Sequence, residues 1–292
     1  MTGSPYVSAP QAAELDLLGR SREGPVHFMG IGGAGVSALA EYVVLAGGEA
    51  TGCDTKAGAA SALRELGVTV EQGHDPDHVA AARAVVVTAA VPADHPELQA
   101  ARRLGIPVLK RAAALGALVN RGRVIAVSGT HGKTTTTGMI AVTLAEAGLD
   151  PTAFVGGRMP GWRGGLRAGG DLFVVEADEY DRSFLSLRPE LAVVTTIEPD
   201  HMEIYGDLET LYGAFAAFLE PVPPGGLIAV CTDDAGAARL ADRLPADRTV
   251  GYGIGPGPGL RAEALRPEAG GTRFRVRRDG EPMGEFRLAV PG

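Results

Sequence analysis

Val124-Ile125-Ala126-Val127-Ser128-Gly129-Thr130-His131-Gly132-Lys133-Thr134-Thr135-Thr136-Thr137 is the stretch on which the reading of this chain turns. Four apolar residues, 124–127, predict a buried strand, and the run from Lys133 into Met139-Ile140-Ala141-Val142 predicts a helix. The glycine-rich turn between them aims several backbone N–H groups and the positive end of a helix at one small volume. Such a nest suits a polyphosphate, with the Lys133 ammonium beside the terminal phosphates and the Thr134 hydroxyl on Mg²⁺. The full pattern G-x-x-x-x-G-K-[ST] is broken, because Val127 stands where its first glycine belongs. The shorter form G-T-x-G-K-T remains, from Gly129 to Thr134. An ordinary strand–turn–helix has no need of three threonines directly after Gly132-Lys133, since threonine is a mediocre helix former. The stretch therefore predicts a nucleotide site, ATP by default, built from Gly129, Thr130, His131, Gly132, Lys133, Thr134 and Thr135.

Upstream, residues 25–31 predict a first strand that runs straight into Gly30-Ile31-Gly32-Gly33-Ala34-Gly35. This is G-x-G-x-x-G opening an apolar helix through Val36, Leu39, Tyr42, Val43 and Leu45, and residues 49–54 predict a second strand ending in Asp54. The unit is that of a doubly wound sheet, where Gly30, Gly32, Gly33 and Gly35 admit a pyrophosphate and the acid takes a ribose hydroxyl. By itself the motif leaves the nucleotide open, NAD or another. Alternation continues: helix 59–66, strand 68–71, helix 77–82, strand 84–89, helix 97–104, strand 108–109 and helix 112–119. That pattern predicts an α/β domain with a mainly parallel sheet covered on both faces, its ligands beyond the carboxyl ends of the strands. His74 and the turn Thr88-Ala89-Ala90-Val91-Pro92 fall in that region, whereas His27, inside the first strand, reads as a core histidine.

Downstream, Asn120-Arg121-Gly122 reads as a junction, so the domains are expected as a loose leader 1–24, a Rossmann-like domain 25–121 and a second α/β domain 122–292. In the second, strand 172–175 runs into Glu176-Ala177-Asp178-Glu179-Tyr180-Asp181, and strand 191–197 ends at Glu198-Pro199-Asp200-His201. Either acidic run alone would be a solvated turn. Two of them at strand ends, beside a phosphate loop, suit Mg²⁺, which takes one or two carboxylates with water and phosphate. An amphipathic helix over 206–219, strand 227–231, helix 233–240 and strand 249–252 follow. Residues 255–259, Gly-Pro-Gly-Pro-Gly, read as a flexible connection. Beyond them the period falls to two over 272–277, with an Asp279-Gly280 hairpin turn before 284–290, predicting a short antiparallel sheet.

The bulk numbers agree. A chain of 292 residues fits two domains, and 45% hydrophobic residues supply their cores. No apolar run approaches the roughly 18 residues of a membrane span. Cys53 and Cys231 form no metal or redox motif, which favours a reduced, cytoplasmic setting. A net charge of −8 argues against general nucleic-acid binding, but not against phosphorylated small ligands held by local N–H nests.

The glycine loop at His27-Phe28-Met29-Gly30-Ile31-Gly32-Gly33-Ala34-Gly35, the loop from Ser128 to Thr136, the run Glu176-Ala177-Asp178-Glu179-Tyr180-Asp181-Arg182-Ser183-Phe184-Leu185 and Glu198-Pro199-Asp200-His201 together resemble the Mur ligase family. The resemblance implies that Gly30, Gly32, Gly33, Gly35, Asp54 and His74 bind the UDP part of a substrate, not NAD. It implies ATP-dependent joining of L-alanine to the carboxylate of UDP-N-acetylmuramate in peptidoglycan precursor synthesis. Lys133, Glu176 and His201 become catalytic candidates, and Thr134, Glu176 and His201 metal-site candidates, with His201 alternatively taking the amine proton. Two departures stand out. Thr196 replaces the asparagine that many members carry, and the chain ends near where members continue into an adenine-contacting motif and a third, lid-forming domain. From that length the expectation is a shortened ligase with little turnover. Rival readings are the family branch that attaches a murein tripeptide, an NAD(P)-dependent oxidoreductase, and a non-catalytic nucleotide-binding module. The oxidoreductase leaves the phosphate loop and both acidic runs unexplained.

Overall fold

The structure, a computed structural model, describes residues 5–19, 24–56, 60–257 and 259–290. The chain enters through a short helix, α1 (Ala9–Ala13), started by a Ser8–Gln11 capping box. The expected loose leader is corrected here: Ala12 and Leu17 are buried in the main core, and the Val7 N–H donates to Val108 O at 3.0 Å. An Ala-Pro-Gln-Ala-Ala segment looks unstructured because its one apolar face is too short to show a period.

Strands β1 (Val26–Met29), β2 (Ala50–Asp54), β3 (Thr69–Gln72), β4 (Ala84–Val87) and β5 (Val108–Lys110) form a five-stranded sheet, all parallel, in the order β3-β2-β1-β4-β5. Strands β1 and β4, in the middle of the sheet, are buried along their whole length, as covering on both faces requires, whereas the edge strand β3, Thr-Val-Glu-Gln, is mostly exposed. Val26 and Phe28 point into the core shared with α2 (Ala34–Leu45) and, beyond the short α3 (Ser61–Glu65), α5 (Arg111–Val119). Met29, Cys53, Val85 and Val87 face a second core with Leu98 and Ala101 of α4 (Pro96–Arg103). The order reverses at β1, so the glycine loop opens at the switch point, where such sheets take ligands. The helix expected over 77–82 is instead one 3₁₀ turn, Pro76–Val79, closed by Asp75 accepting from the Asp77 N–H at 2.9 Å.

The second sheet has ten strands in the order β15-β14-β13-β12-β11-β10-β6-β9-β7-β8. They are β6 (Arg123–Ser128), β7 (Thr152–Phe154), β8 (Leu166–Arg167), β9 (Leu172–Glu176), β10 (Leu191–Val194), β11 (Leu227–Cys231), β12 (Thr249–Gly253), β13 (Leu260–Glu268), β14 (Gly271–Arg278) and β15 (Glu281–Leu288). Helices α6 (Lys133–Glu146), α7 (Met202–Tyr205), α8 (Leu208–Leu219) and α9 (Ala235–Ala241) complete it. Strand β6 lies between β9 and β10, parallel to both. The chain thus winds outward on one side of β6 and then on the other, and the loops after β6, β9 and β10 meet at one sheet edge.

β10 stops at Val194, three residues short of the expected strand, because Thr195 and Thr196 turn to bond the loop after β6. β7, β8 and β13 were absent from the expected elements, the first two being too short for a period to register. The closing antiparallel strands are not a separate small sheet: β13 pairs with β12 and carries β14 and β15 as an extension of the ten-stranded sheet. Asp279 and Gly280 make the expected hairpin turn, both at positive φ. Of the expected flexible connection, Pro258 lies outside the described residues, as do residue 59 of the expected helix 59–66 and the ends of the leader. Among the described residues, no helix is long and apolar enough to cross a membrane.

Candidate nucleotide-substrate cleft

The phosphate loop is held in shape by the end of β10. Gly129 sits at φ +134°, and a Cβ there would lie 2.1 Å from Thr195 Oγ1 and 2.9 Å from the Thr196 backbone, so only glycine fits. The Thr130 N–H donates to Thr196 O (2.8 Å), and the His131 N–H to Thr196 Oγ1 (2.9 Å). Thr196, the departure noted above, therefore supplies a hydroxyl that shapes the loop. These two amides face the neighbouring strand, which leaves the first-turn amides of α6, from Lys133 to Thr135, aimed forward without intrahelical partners. The threonine run divides its work: Thr135 is exposed beside those amides, while Thr137 is buried and donates back to Lys133 O at 2.8 Å.

Lys133 Nζ lies 2.6 Å from Gly129 O, 3.3 Å from Thr130 O and 2.9 Å from Glu179 Oε1. Glu179 is 2% exposed; burial pushes its carboxyl above the ordinary range, and the Lys133 ammonium opposes that rise. Its Oε2 is buried with no hydrogen-bond partner among the described residues. Thr134 Oγ1 donates to Glu176 Oε1 at 2.9 Å, and the Gly156 N–H donates to Glu176 Oε2 at 2.6 Å. His201 does not join that pair: its ligand atom clusters with those of Glu179 and Asp200, all within 4.8 Å of one another. His201, Asp181 and Arg182 all hold positive φ, between 52° and 54°, a conformation that non-glycine residues keep only where surroundings impose it. The oxygen donors of Thr134 and Glu176 suit a hard cation such as Mg²⁺.

Across from the loop, the glycine turn after β1 is closed by its own acid. Asp54 Oδ2 accepts the Gly32 N–H at 2.9 Å, and Oδ1 accepts the Lys56 N–H at the same distance. Helix α2 begins directly after, with Gly33 as its N-cap. One cavity is lined by Gly35 and Leu39 of α2, Arg111 of α5, Gly156, and Glu176 and Asp178 beyond β9. A neighbouring one of about 340 Å³, within the range of small-ligand sites, takes Gly32, Ser37, Glu41, Arg158 and Arg163. The glycine turn after β1 and Glu176, to which Thr134 of the phosphate loop is bonded, thus share the same cleft. Burial raises the Glu41 carboxyl, with Arg163 opposing. Thr88, Ala89 and Ala90, flagged from their place after the fourth strand, line a pocket with Arg111 and Tyr180.

Arg111, Arg163 and Glu179 were not singled out from sequence. Arg111 had a signal, a Lys110-Arg111 pair at a strand's carboxyl end; Glu179 was hidden inside an acidic run, and Arg163 inside a glycine-rich loop. His74 turns its Nδ1 inward, 3.3 Å from Cys53 Sγ and 3.2 Å from Glu97 Oε2. His27 is buried, which holds its pKa down near about 4, in keeping with a core histidine.

Sequence profiles place the whole arrangement in one class. The Mur ligase family, catalytic domain, matches residues 25–123, and the Mur ligase middle domain matches residues 127–292; the chain belongs to the Mur ligase family. Among its relatives is the UDP-N-acetylmuramate–L-alanine ligase of Acidothermus cellulolyticus, 42% identical over 296 aligned positions, covering 100% of this chain and 61% of that protein. The enzyme of the same name from Renibacterium salmoninarum is 48% identical over 247 positions, covering 83% and 52%. Among solved structures, the UDP-N-acetylmuramate:L-alanyl-γ-D-glutamyl-meso-diaminopimelate ligase from Neisseria meningitides superposes with TM-score 0.81 at 29% identity, covering 91% of this chain and 88% of that one. The UDP-N-acetylmuramate–alanine ligase of Thermotoga maritima gives TM-score 0.79 at 30% identity, covering 91% and 61%. The chain spans little more than half the length of the curated relatives it matches.

Proposed function

We propose that the whole protein joins L-alanine to the carboxylate of UDP-N-acetylmuramate at the expense of ATP, and that this chain supplies its UDP-substrate and ATP-phosphate sites in the cytoplasm. The observation that carries the reading is the shared cleft, with Gly35 of the dinucleotide-type turn and Glu176 of the ATPase-type half on one wall. Two independent nucleotide modules would have no reason to face each other in this way.

The chemistry follows from a weak electrophile. A carboxylate resists attack by an amine, so its oxygen first takes the γ-phosphoryl group of ATP, releasing ADP. The amine then attacks the acyl phosphate carbon, loses a proton, and expels phosphate. Lys133, now on Glu179 and the loop carbonyls, would turn to the transferring phosphoryl group and offset its charge. The first-turn amides of α6 would hold the β- and γ-phosphates. Thr134 and Glu176 would hold Mg²⁺, which would supply neutralisation of the phosphate charge. His201, beside Glu179 and Asp200, either completes that metal site or accepts the amine proton. Gly30, Gly32, Gly33, Gly35 and Asp54 would take the UDP part, with the outward edge of His74 and with Arg111 added from the cleft wall.

The test is phosphate release by the whole protein, which should require ATP, Mg²⁺, UDP-N-acetylmuramate and L-alanine together. The likeness to the tripeptide ligase fold makes L-alanyl-γ-D-glutamyl-meso-diaminopimelate the comparison acceptor. Turnover with that peptide and not with L-alanine would overturn the acceptor, and turnover with neither would sink the ligase reading.

A further inference from the structure

Four of the six histidines and one of the two cysteines gather on the α4 side of the five-stranded sheet, behind the glycine turn, whose Gly30 N–H donates to Cys53 O at 2.9 Å. They surround Glu97, which is fully buried in the first turn of α4. Its carboxylate accepts the Asp75 N–H at 2.9 Å, and its two oxygens lie 3.2 Å from His74 Nδ1 and 3.0 Å from His78 Nδ1. Those two imidazoles are the ion-pair partners that the described residues offer it; neither lysine nor arginine reaches it among them. Buried carboxylates persist where they are paired or bind a metal.

The sulfur of Cys53 sits at the centre. It lies 3.4 Å from His27 Nε2, 3.3 Å from His74 Nδ1, and 3.5 and 3.4 Å from the two oxygens of Glu97. A thiol carries one hydrogen and accepts weakly, so it answers one of these four atoms well. A tetrahedral Zn²⁺ about 2.0–2.3 Å from each ligand sets its ligand atoms about 3.3–3.8 Å apart. The sulfur stands at such distances from His27 and Glu97, and these three residues offer ligand atoms all within 4.8 Å of one another. These three ligands come from β1, β2 and α4, and all are buried. His27 Nδ1 contacts Thr51 Oγ1 at 3.0 Å, an outer contact that fixes the ring with Nε2 toward the sulfur.

We propose that His27, Cys53 and Glu97 form a binding site for a Zn²⁺-class divalent cation, with His74 beside the sulfur and the carboxylate, a structural centre separate from the ATP site. One thiolate, one imidazole and one carboxylate match zinc and disfavour Mg²⁺. Binding releases the Cys53 proton to solvent as the metal–sulfur bond forms. The centre ties β2 to β1 and α4 one residue before Asp54, so it steadies the carboxylate that closes the glycine turn. It does not depend on the ligase reading.

The test uses the full chain carrying Cys231→Ser, stripped with a chelator and titrated with Zn²⁺ against a chromophoric competitor. A parallel titration follows Co²⁺ by sulfur-to-cobalt charge-transfer absorbance. One Zn²⁺ per chain, a rise in melting temperature and a charge-transfer band are expected. Cys53→Ala should abolish the band and weaken Zn²⁺ at least tenfold, and His27→Ala should weaken it similarly. Cys53→Ser, closer in size and polarity, serves if the alanine variant does not fold. Absence of stoichiometric Zn²⁺ binding by the folded chain, or binding unchanged in the Cys53 variants, would overturn the site.

Discussion

Lys133 and Glu179 hold each other at 2.9 Å with the carboxylate almost wholly enclosed, so either partner alone is costly. Removing one member of a fully buried pair costs about 3–5 kcal/mol; Lys133 keeps some solvent, and a loss of about 2 kcal/mol is expected for Lys133→Ala. Adding Glu179→Gln should recover most of it, because the orphaned charge disappears. Denaturant titration of the single and double variants checks this, and equal losses in both would contradict the pairing. Gly129→Ala places a methyl against Thr195 and Thr196, so Mg-ATP affinity should fall at least tenfold while UDP-sugar affinity holds, as read by calorimetry. The loop residues were legible because G-T-x-G-K-T prescribes its backbone. Glu179 was not, since its partner stands 46 positions away and the period of an acidic run does not tell which carboxylate turns inward.

At the scale of elements, the end of β10 and the start of α9 share one carboxylate. Asp234 Oδ1 accepts the Ala237 N–H at 2.7 Å as the helix cap and the Ile197 N–H at 3.0 Å. Asp234→Ala should cost about 1–2 kcal/mol, a few degrees in melting temperature, and a neutral result would show that water replaces the cap. Leu17, 2% exposed beyond α1, should cost about 2–3 kcal/mol on change to alanine, whereas a loose leader would lose nothing. Strands β1, β4, β6 and β9 could be read because burial on both faces makes them largely apolar runs. α1, β7 and β8 could not, since two to five residues carry no measurable period and owe their form to neighbours. The Asp279-Gly280 turn and β14 before it were plain, yet β13 was not, because Arg-Ala-Glu-Ala-Leu-Arg-Pro-Glu alternates only once a bulge between Glu263 and Arg266 is allowed.

Over the whole molecule, the two sheets bring their ligand-bearing loops to a common cleft, with Arg111 and Asp178 3.9 Å apart on its wall. Strand order explains it: each sheet reverses at the strand that carries its glycine loop, β1 in one and β6 in the other. Net charge of −8 does not oppose phosphorylated ligands, because three arginines line the cleft and Lys133 stands at the amides that open α6. The most direct measurement is a thermal-shift titration of this chain with UDP-N-acetylmuramate, NAD and Mg-ATP in parallel. A ligand at about 100 times its Kd adds about 2.7 kcal/mol, enough for a shift of several degrees. Stabilisation by UDP-N-acetylmuramate and not by NAD is the expected result. Stabilisation by NAD alone would contradict the assignment of the cleft to a UDP-linked substrate.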